Sequence, residues 1–345
     1  MSNTISFVQF DKIKDIGNME GKNSSVFLAR DIQLDEDLII KQINKEKFKP
    51  DEYFTEAKML YANKHPNIVE IQYASQDEDN IYLAMPYYQN GSLNGLVKNR
   101  YLSVREIVRY SLDILSAINY IHSKGLLHLD IKPTNILIDT SGKALLTDFG
   151  LSKYMDENGV AEQPCNYRLH VDPEWFKNEG RTVQSDIYQL GLTMYRLCNG
   201  VGILNEQCRN MGITTLDILE KKVLAGKFPD RKYFLPHIPN KLRKVILKAL
   251  QPDVNKRYNN VITMANDLSV IDNNLDWVFT GDFEHPYTKQ DDSYTYHINV
   301  ENNNIDCYRI KIGSEKKTRI KECCYKNATD DMVDTKLSEI INKLN

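Results

Sequence analysis

"HLDIKPTNIL", residues 128–137, holds Asp130, Lys132 and Asn135 at offsets of two and five. Side chains three or four apart share a helix face, and even offsets share a strand face; this set follows neither rule throughout. Pro133 argues against a continuing helix. The stretch therefore reads as a loop whose polar side chains converge. Downstream, ILIDTSGKALLTDFG reads as a hairpin around Ser141-Gly142 that delivers Asp148-Phe149-Gly150 at the end of its second strand. Two carboxylates and an amide from neighbouring loops suit hard divalent cations, which take oxygen ligands. They also suit a nucleophilic hydroxyl, which needs a positioned carboxylate near its proton.

Outward from this loop the chain divides by character. Before about residue 90 it is strand-rich. FVQFDKIKDIG, SSVFLARDI, DLIIKQI, IVEIQYASQ and NIYLAMPYY are short apolar runs broken by polar turns, and DEYFTEAKMLYANK has helical spacing. Lys41 stands at the end of a strand, and Glu56 lies in the helical stretch. A lysine reaching into a cleft and held by such a glutamate supplies a fixed positive charge for phosphate oxygens. After residue 90 helices dominate. VREIVRYSLDILSAINYIHSKG lines up Ile107, Val108, Leu112, Leu115, Ala117 and Ile118 and stops at Gly125. Further helices fit SDIYQLGLTMYRLCNG, TTLDILEKKVLAG, NKLRKVILKAL and NNVITMANDLSVI. A small strand-rich lobe joined to a larger helical lobe leaves a cleft between them.

These motifs, in this order, resemble the eukaryotic-type (Hanks-type) serine/threonine protein kinases over about residues 8–272. The resemblance implies an α+β, two-lobed fold, with an N-lobe over 1–85 and a C-lobe over 86–275. It implies transfer of the γ-phosphate of ATP, with Mg2+, to serine or threonine hydroxyls of protein substrates. Carried onto this chain, Lys41 in LIIK is the strand lysine and Glu56 its helix partner. Met85 falls at the gatekeeper position, and Pro86, Tyr87 and Tyr88 form the hinge against which adenine rests. Asp130 matches the catalytic base and Lys132 the lysine assisting the transferred phosphate. Asn135 and Asp148 match the magnesium ligands, and Gly21 and Val26 belong to the phosphate-covering loop. Asp172-Pro173-Glu174 replaces Ala-Pro-Glu, with Arg257 positioned to form a buried structural pair with Glu174. Asp186 matches the aspartate that braces the catalytic loop, and His128 reads as a structural loop residue rather than a base.

The chain departs from the family in three places. Counting back from Val26, the three loop glycines fall at Met19, Gly21 and Ser24, so only the middle one stands; otherwise Gly17 is the first and the loop is longer. Side chains there restrict the backbone and loosen the approach of N–H groups to phosphate. This keeps open a nucleotide-binding pseudokinase scaffold that recruits a partner through its C-terminal module, although all the polar catalytic positions survive. Leu129 stands where many family members carry the arginine that gathers a phosphorylated activation loop, which leucine cannot do. The stretch from Leu151 to Val171 offers Ser152, Tyr154 and Tyr167 as acceptors, and control by phosphate there is not expected. Lys132, two after the base, resembles serine/threonine kinases, yet Tyr167 replaces their threonine that contacts the base.

The 345 residues carry a formal charge of −3, with 41% hydrophobic and 26% charged residues. That is a globular composition without a basic field directed at nucleic acid or an anionic membrane. No apolar run is long enough for a bilayer, and MSNTISFVQFDKIKD lacks the charged start and apolar block of a signal peptide, so a cytoplasmic protein is expected. The six cysteines are scattered without a CxxC pair and read as unpaired thiols. From about residue 276 the pattern changes again. FTGDFEHPYTKQDD reads as a polar linker, SYTYHINV, DCYRIKI and TRIKECCYK as strands, and TDDMVDTKLSEIINKL as a helix capped by Thr329. The expectation is a small appended βββα module over 276–345. Its order resembles a double-stranded RNA-binding shape, and RIKIGSEKKTRIKECCYK is basic. The tail as a whole is net negative, which favours protein binding or self-packing over nucleic acid.

Overall fold

A computed structural model of the protein describes residues 8–17, 24–47, 54–162 and 168–345. The expectations for Met19, Gly21, Cys165 and Tyr167 fall outside the described residues. The first runs form one antiparallel sheet from β1 (Phe10–Gly17), β2 (Ser24–Asp31), β3 (Glu36–Asn44), β4 (Tyr73–Gln76) and β5 (Asn80–Pro86), in the order β1-β2-β3-β5-β4. Helix α1 (Thr55–Ala62) lies between β3 and β4 in the chain. The pleat of β3 sorts its side chains: Leu38 and Ile40 pack with Phe27, Ala29 and Ala84, while Ile43, on the opposite face, packs with Ala57 of α1. Lys41 shares that second face. It lies inside β3 rather than at its end, because Gln42, Ile43 and Asn44 continue the pairing with β5.

Of IVEIQYASQ only β4 is a strand. Near its start the chain bonds the other lobe instead: Leu146 N donates to Asn67 O at 2.8 Å and Val69 N to Leu146 O at 2.9 Å.

The helical lobe begins with α2 (Leu93–Asn99) and α3 (Val104–Ser123). Ser103 and Glu106 form a reciprocal capping box at the start of α3, and Gly125 ends the helical stretch at φ +72°. Two short pairs follow, β6 (Leu126–Leu127) with β9 (Lys153–Tyr154), and β7 (Ile136–Ile138) with β8 (Ala144–Leu146). The second is the expected hairpin. Beyond it lie α4 (Pro173–Phe176), α5 (Val183–Asn199), α6 (Ile203–Asn210), α7 (Leu216–Leu224), α8 (Asn240–Ala249) and α9 (Val261–Ser269). Helix α5 is buried along almost its whole length, in a core shared with α3, α8 and α9.

The tail differs from the expectation in two ways. It is a five-stranded antiparallel sheet, β10 (Val278–Phe279), β11 (Tyr287–Gln290), β12 (Tyr294–Glu301), β13 (Asn304–Lys311) and β14 (Lys317–Arg319), followed by α10 (Asp330–Lys343). The stretch read as a linker thus supplies most of a hairpin. TRIKECCYK yields only the short β14 and a 3₁₀ turn, Lys321–Cys323. The apolar face also does not close on itself. Trp277, Phe279, Tyr287, Ile298, Ile340 and Ile341 join the same continuous core as α3, α5 and α8. Polar ties accompany this: Arg105 of α3 grips Asp276 at 2.6 and 2.8 Å, and Ser338 donates to Pro236 O at 3.1 Å. Cys198, Cys208, Cys307, Cys323 and Cys324 are free thiols. Among the described residues no helix is long and apolar enough to cross a membrane.

Candidate active site

Residues 128–135 run between β6 and β7 without a ladder of their own, so their buried backbone groups need other partners. Helix α5 supplies them. Asp186 accepts from His128 N at 2.9 Å, Leu129 N at 2.7 Å and His122 Nε2 at 2.8 Å. Burial opposes its charge, but these donors outweigh burial and hold the Asp186 carboxyl below the ordinary value. Gln189 accepts from Ile131 N and donates to Leu129 O, both at 2.9 Å, and Thr193 Oγ1 donates to Ile131 O at 3.1 Å. Positions 186, 189 and 193 form one stripe of a helix. Sequence reading found Asp186 but missed Gln189 and Thr193; polar residues at helical spacing inside an apolar segment were the available signal.

So suspended, the loop brings Asp130, Lys132 and Asn135 together. Asp130 Oδ2 accepts from Asn135 Nδ2 at 2.8 Å and lies 3.0 Å from Lys132 Nζ. Oδ1 is buried, with no hydrogen-bond partner among the described residues. Burial pushes the Asp130 carboxyl above its ordinary pKa, with Lys132 pulling against it. His128 is fixed as a neutral ring: Nε2 donates to Thr147 O at 3.1 Å, and Nδ1 accepts from Asp130 N at 3.3 Å. It meets Phe149 edge-on at 4.9 Å.

A second cluster joins side chains of β3, α1 and the stretch after β8. Lys41 Nζ donates to both Glu56 oxygens, at 2.8 and 2.9 Å, and to Asp148 Oδ1 at 2.7 Å. Burial works against the ammonium, but the two carboxylates more than offset it and raise the Lys41 pKa. The same ammonium, overcoming burial, holds Asp148 well below the usual carboxylate range. Asp148 adopts φ +63°, a conformation unusual outside glycine, and Phe149 inserts into the core beside Met59 and Leu60 of α1. A Cβ at Gly150 would come within 3.3 Å of Asp148 Oδ1 and 3.6 Å of Lys41 Nζ, so the cluster leaves little room there.

Val26 pairs directly opposite Lys41 across β2 and β3. Met85 is buried with Val69 and Leu145, and Tyr88 packs against that cluster, its phenol pushed up to about 12 by burial and then by Glu70 and Asp139. Tyr87 is half-buried beside it. Oxygen donors on Asn135 and Asp148, beside a fixed ammonium, are the chemistry that a magnesium–nucleotide pair requires.

The described parts of the segment from Phe149 to Glu174 are tied down at several points. Ser152, buried, donates to His128 O at 3.2 Å. Ala161 and Arg181 exchange backbone hydrogen bonds at 2.9 and 2.8 Å, and Arg181 meets Asp172 at 3.1 Å. Leu129, at φ +65°, is fully buried with Leu127 and Ala161, against Met155 and Val183. Arg257 holds Glu174 with two bonds, at 2.6 and 2.9 Å, as the expected buried pair.

The protein belongs to the protein kinase domain family, whose model matches residues 10–268. Among its relatives is the probable serine/threonine-protein kinase PknB of Lactococcus lactis, 29% identical over 265 residues, covering 74% of this chain and 41% of that protein. The serine/threonine-protein kinase PrkC of Bacillus subtilis is 30% identical over 258 residues, covering 72% of this chain and 38% of that protein. The CBL-interacting serine/threonine-protein kinase 20 of Arabidopsis thaliana is 28% identical over 246 residues, covering 69% and 54%. The matched region spans about half or less of each relative.

Proposed function

We propose that the protein is an active ATP- and Mg2+-dependent serine/threonine protein kinase that works without phosphate on its activation segment. One observation carries the activity: Asp130 has one oxygen held by Lys132 and Asn135, while the other is buried and unpartnered among the described residues. That oxygen is where a substrate hydroxyl gains a hydrogen bond and loses its proton, and burial raises the carboxyl's basicity for the task. Lys132 and Lys41 neutralise charge on the phosphate oxygens, with Glu56 and Asp148 holding Lys41 in place. Magnesium, held through oxygens of Asn135 and Asp148, would shield the phosphate charge when bound. Met85, Tyr87 and Tyr88 form the adenine side of the site, and Val26, opposite Lys41, lies on the phosphate side. The serine/threonine class is supported by Lys132 beside Asp130 and by the relatives' names.

Phosphate independence is supported by Leu129 and by ties of the described segment that need no phosphate, among them Ser152 to His128 O and Arg181 to Asp172. Ser152 is buried in one of them and is not presented to a kinase, whereas Tyr154 is 53% exposed. The tail's apolar face is covered by the helical lobe, which favours self-packing over nucleic-acid binding. Incubation with γ-labelled ATP, magnesium and a generic protein substrate tests the activity; no transfer, with nucleotide still bound, would leave the scaffold reading. For independence, phosphatase-treated protein and a Tyr154→Phe, Tyr167→Phe variant are expected to keep most of the wild-type rate. A large loss in both, with folding intact, contradicts it.

A further inference from the structure

The carbonyl of Ile131, between Asp130 and Lys132, accepts two hydrogen bonds. Thr193 donates from α5 at 3.1 Å. His170 Nδ1 approaches it too, also at 3.1 Å. His170 belongs to the activation segment, in the 3₁₀ turn Arg168–His170 ahead of α4. Its other ring nitrogen, Nε2, lies 2.9 Å from Nη1 of Arg196, one turn beyond Thr193 on α5. A guanidinium has no acceptor, so Nε2 accepts from it. The proton of the neutral ring therefore sits on Nδ1, where it is donated to the Ile131 carbonyl. Arg196 is itself steered by Asn94 of α2, whose Oδ1 is 3.2 Å from Nη2.

We propose that His170, set in its tautomer by Arg196, is a positioning residue that locks the end of the activation segment to the catalytic loop. The inference rests on the kinase reading above. The loop peptide that carries Asp130 is then gripped by α5 and by the segment that leads to Glu174, so these parts move as one piece. Burial first, and then Arg196 and Lys132, keep the His170 pKa well below the ordinary histidine value. The ring is therefore neutral at physiological pH, and the lock needs no modification to form. Ser152 does the same at the other end of the segment through His128 O. With Leu129 in the arginine's place, these uncharged bonds hold the segment where a phosphate–arginine pair would otherwise do so.

Two substitutions separate positioning from bulk packing. His170→Leu fills the site but removes the donor; His170→Asn returns an amide nitrogen near the place of Nδ1. Hydrogen exchange over 127–135 and 168–175 is expected to quicken about tenfold in His170→Leu, and to return close to wild type in His170→Asn. With saturating ATP and a protein substrate, kcat is expected to fall about 10- to 100-fold in His170→Leu, with KM for ATP within about twofold, and to recover in His170→Asn. Unchanged exchange over 127–135 in His170→Leu, or His170→Asn matching His170→Leu at equal thermal stability, overturns the proposal. An inactive wild type would count against the kinase reading, while exchange would still decide the lock. If His170→Leu does not fold, Arg196→Leu, at a half-buried site, should give the same quickened exchange over both stretches, and unchanged exchange there overturns the proposal equally.

Discussion

Asp130 shows how local environment assigns a role to an ordinary carboxylate. Its two oxygens are distinguished by geometry: Oδ2 is held by Asn135 and Lys132, and Oδ1 is buried without a partner among the described residues. Burial raises its pKa, whereas Asp148 and Asp186, facing cationic or hydrogen-bonding partners, are held below the ordinary range. Only ionised Asp130 can take a proton, so activity should be lost as pH falls through its raised pKa, above the ordinary aspartate value of about 3.9. We expect the acid limb of kcat, at saturating ATP, to lie above that value while circular dichroism still reports a folded protein. An acid limb at or below about 4 would mean that another group governs the rate. Much of this site was legible in sequence, because a loop rich in acid, base and amide at offsets unsuited to helix or strand has few structural explanations. Leu129 was legible as a departure, but its apolar packing was not, since neighbours brought by the fold leave no mark on spacing.

Helix α5 organises the elements around that loop. One stripe, through Asp186, Gln189 and Thr193, replaces the ladder that the catalytic loop lacks. A second face packs closely on α8, and Gly191 makes the approach possible. A Cβ at Gly191 would lie 3.0 Å from Ala249 Cβ and 3.1 and 3.2 Å from side-chain atoms of Leu250. Alanine gains about 1 kcal/mol of helix propensity over glycine, but overpacking costs about 1–3 kcal/mol. Gly191→Ala is therefore expected to lower Tm by a few degrees; a higher Tm would show that α8 moves away at little cost. The helix was readable from SDIYQLGLTMYRLCNG, because its apolar positions recur with helical period. Which of its polar residues turn inward was not readable, because that depends on the loop lying against them. The hairpin of β10 and β11 was missed for a related reason: Val278–Phe279 and Tyr287–Gln290 are too short to show a period, and polar TGDFEHP separates them.

At the scale of the whole molecule, the tail is bound into the helical lobe's own core. Trp277 and Phe279 are essentially fully buried, and Phe279 meets Tyr101 edge-on at 4.6 Å. Removing residues 276–345 strips apolar cover from the helical lobe, with each fully buried large side chain worth about 1.5–3 kcal/mol. A 1–275 protein is expected to melt about 10 °C or more below the full chain, or to aggregate, while the full chain's helical lobe and tail melt together. Equal melting of the two proteins would restore the appended, separable module that the sequence pattern implied. The proposed activity comes down to a single chemical act, transfer of phosphate at Asp130. It is tested most directly by measuring γ-phosphate transfer and ATP binding side by side in wild type and Asp130→Asn. Transfer is expected in the wild type and near-complete loss in the variant, with magnesium-dependent ATP affinity nearly unchanged, because the substitution removes the proposed proton acceptor and leaves Lys41 and Asp148 untouched. Substantial transfer by Asp130→Asn would contradict the role assigned to that residue.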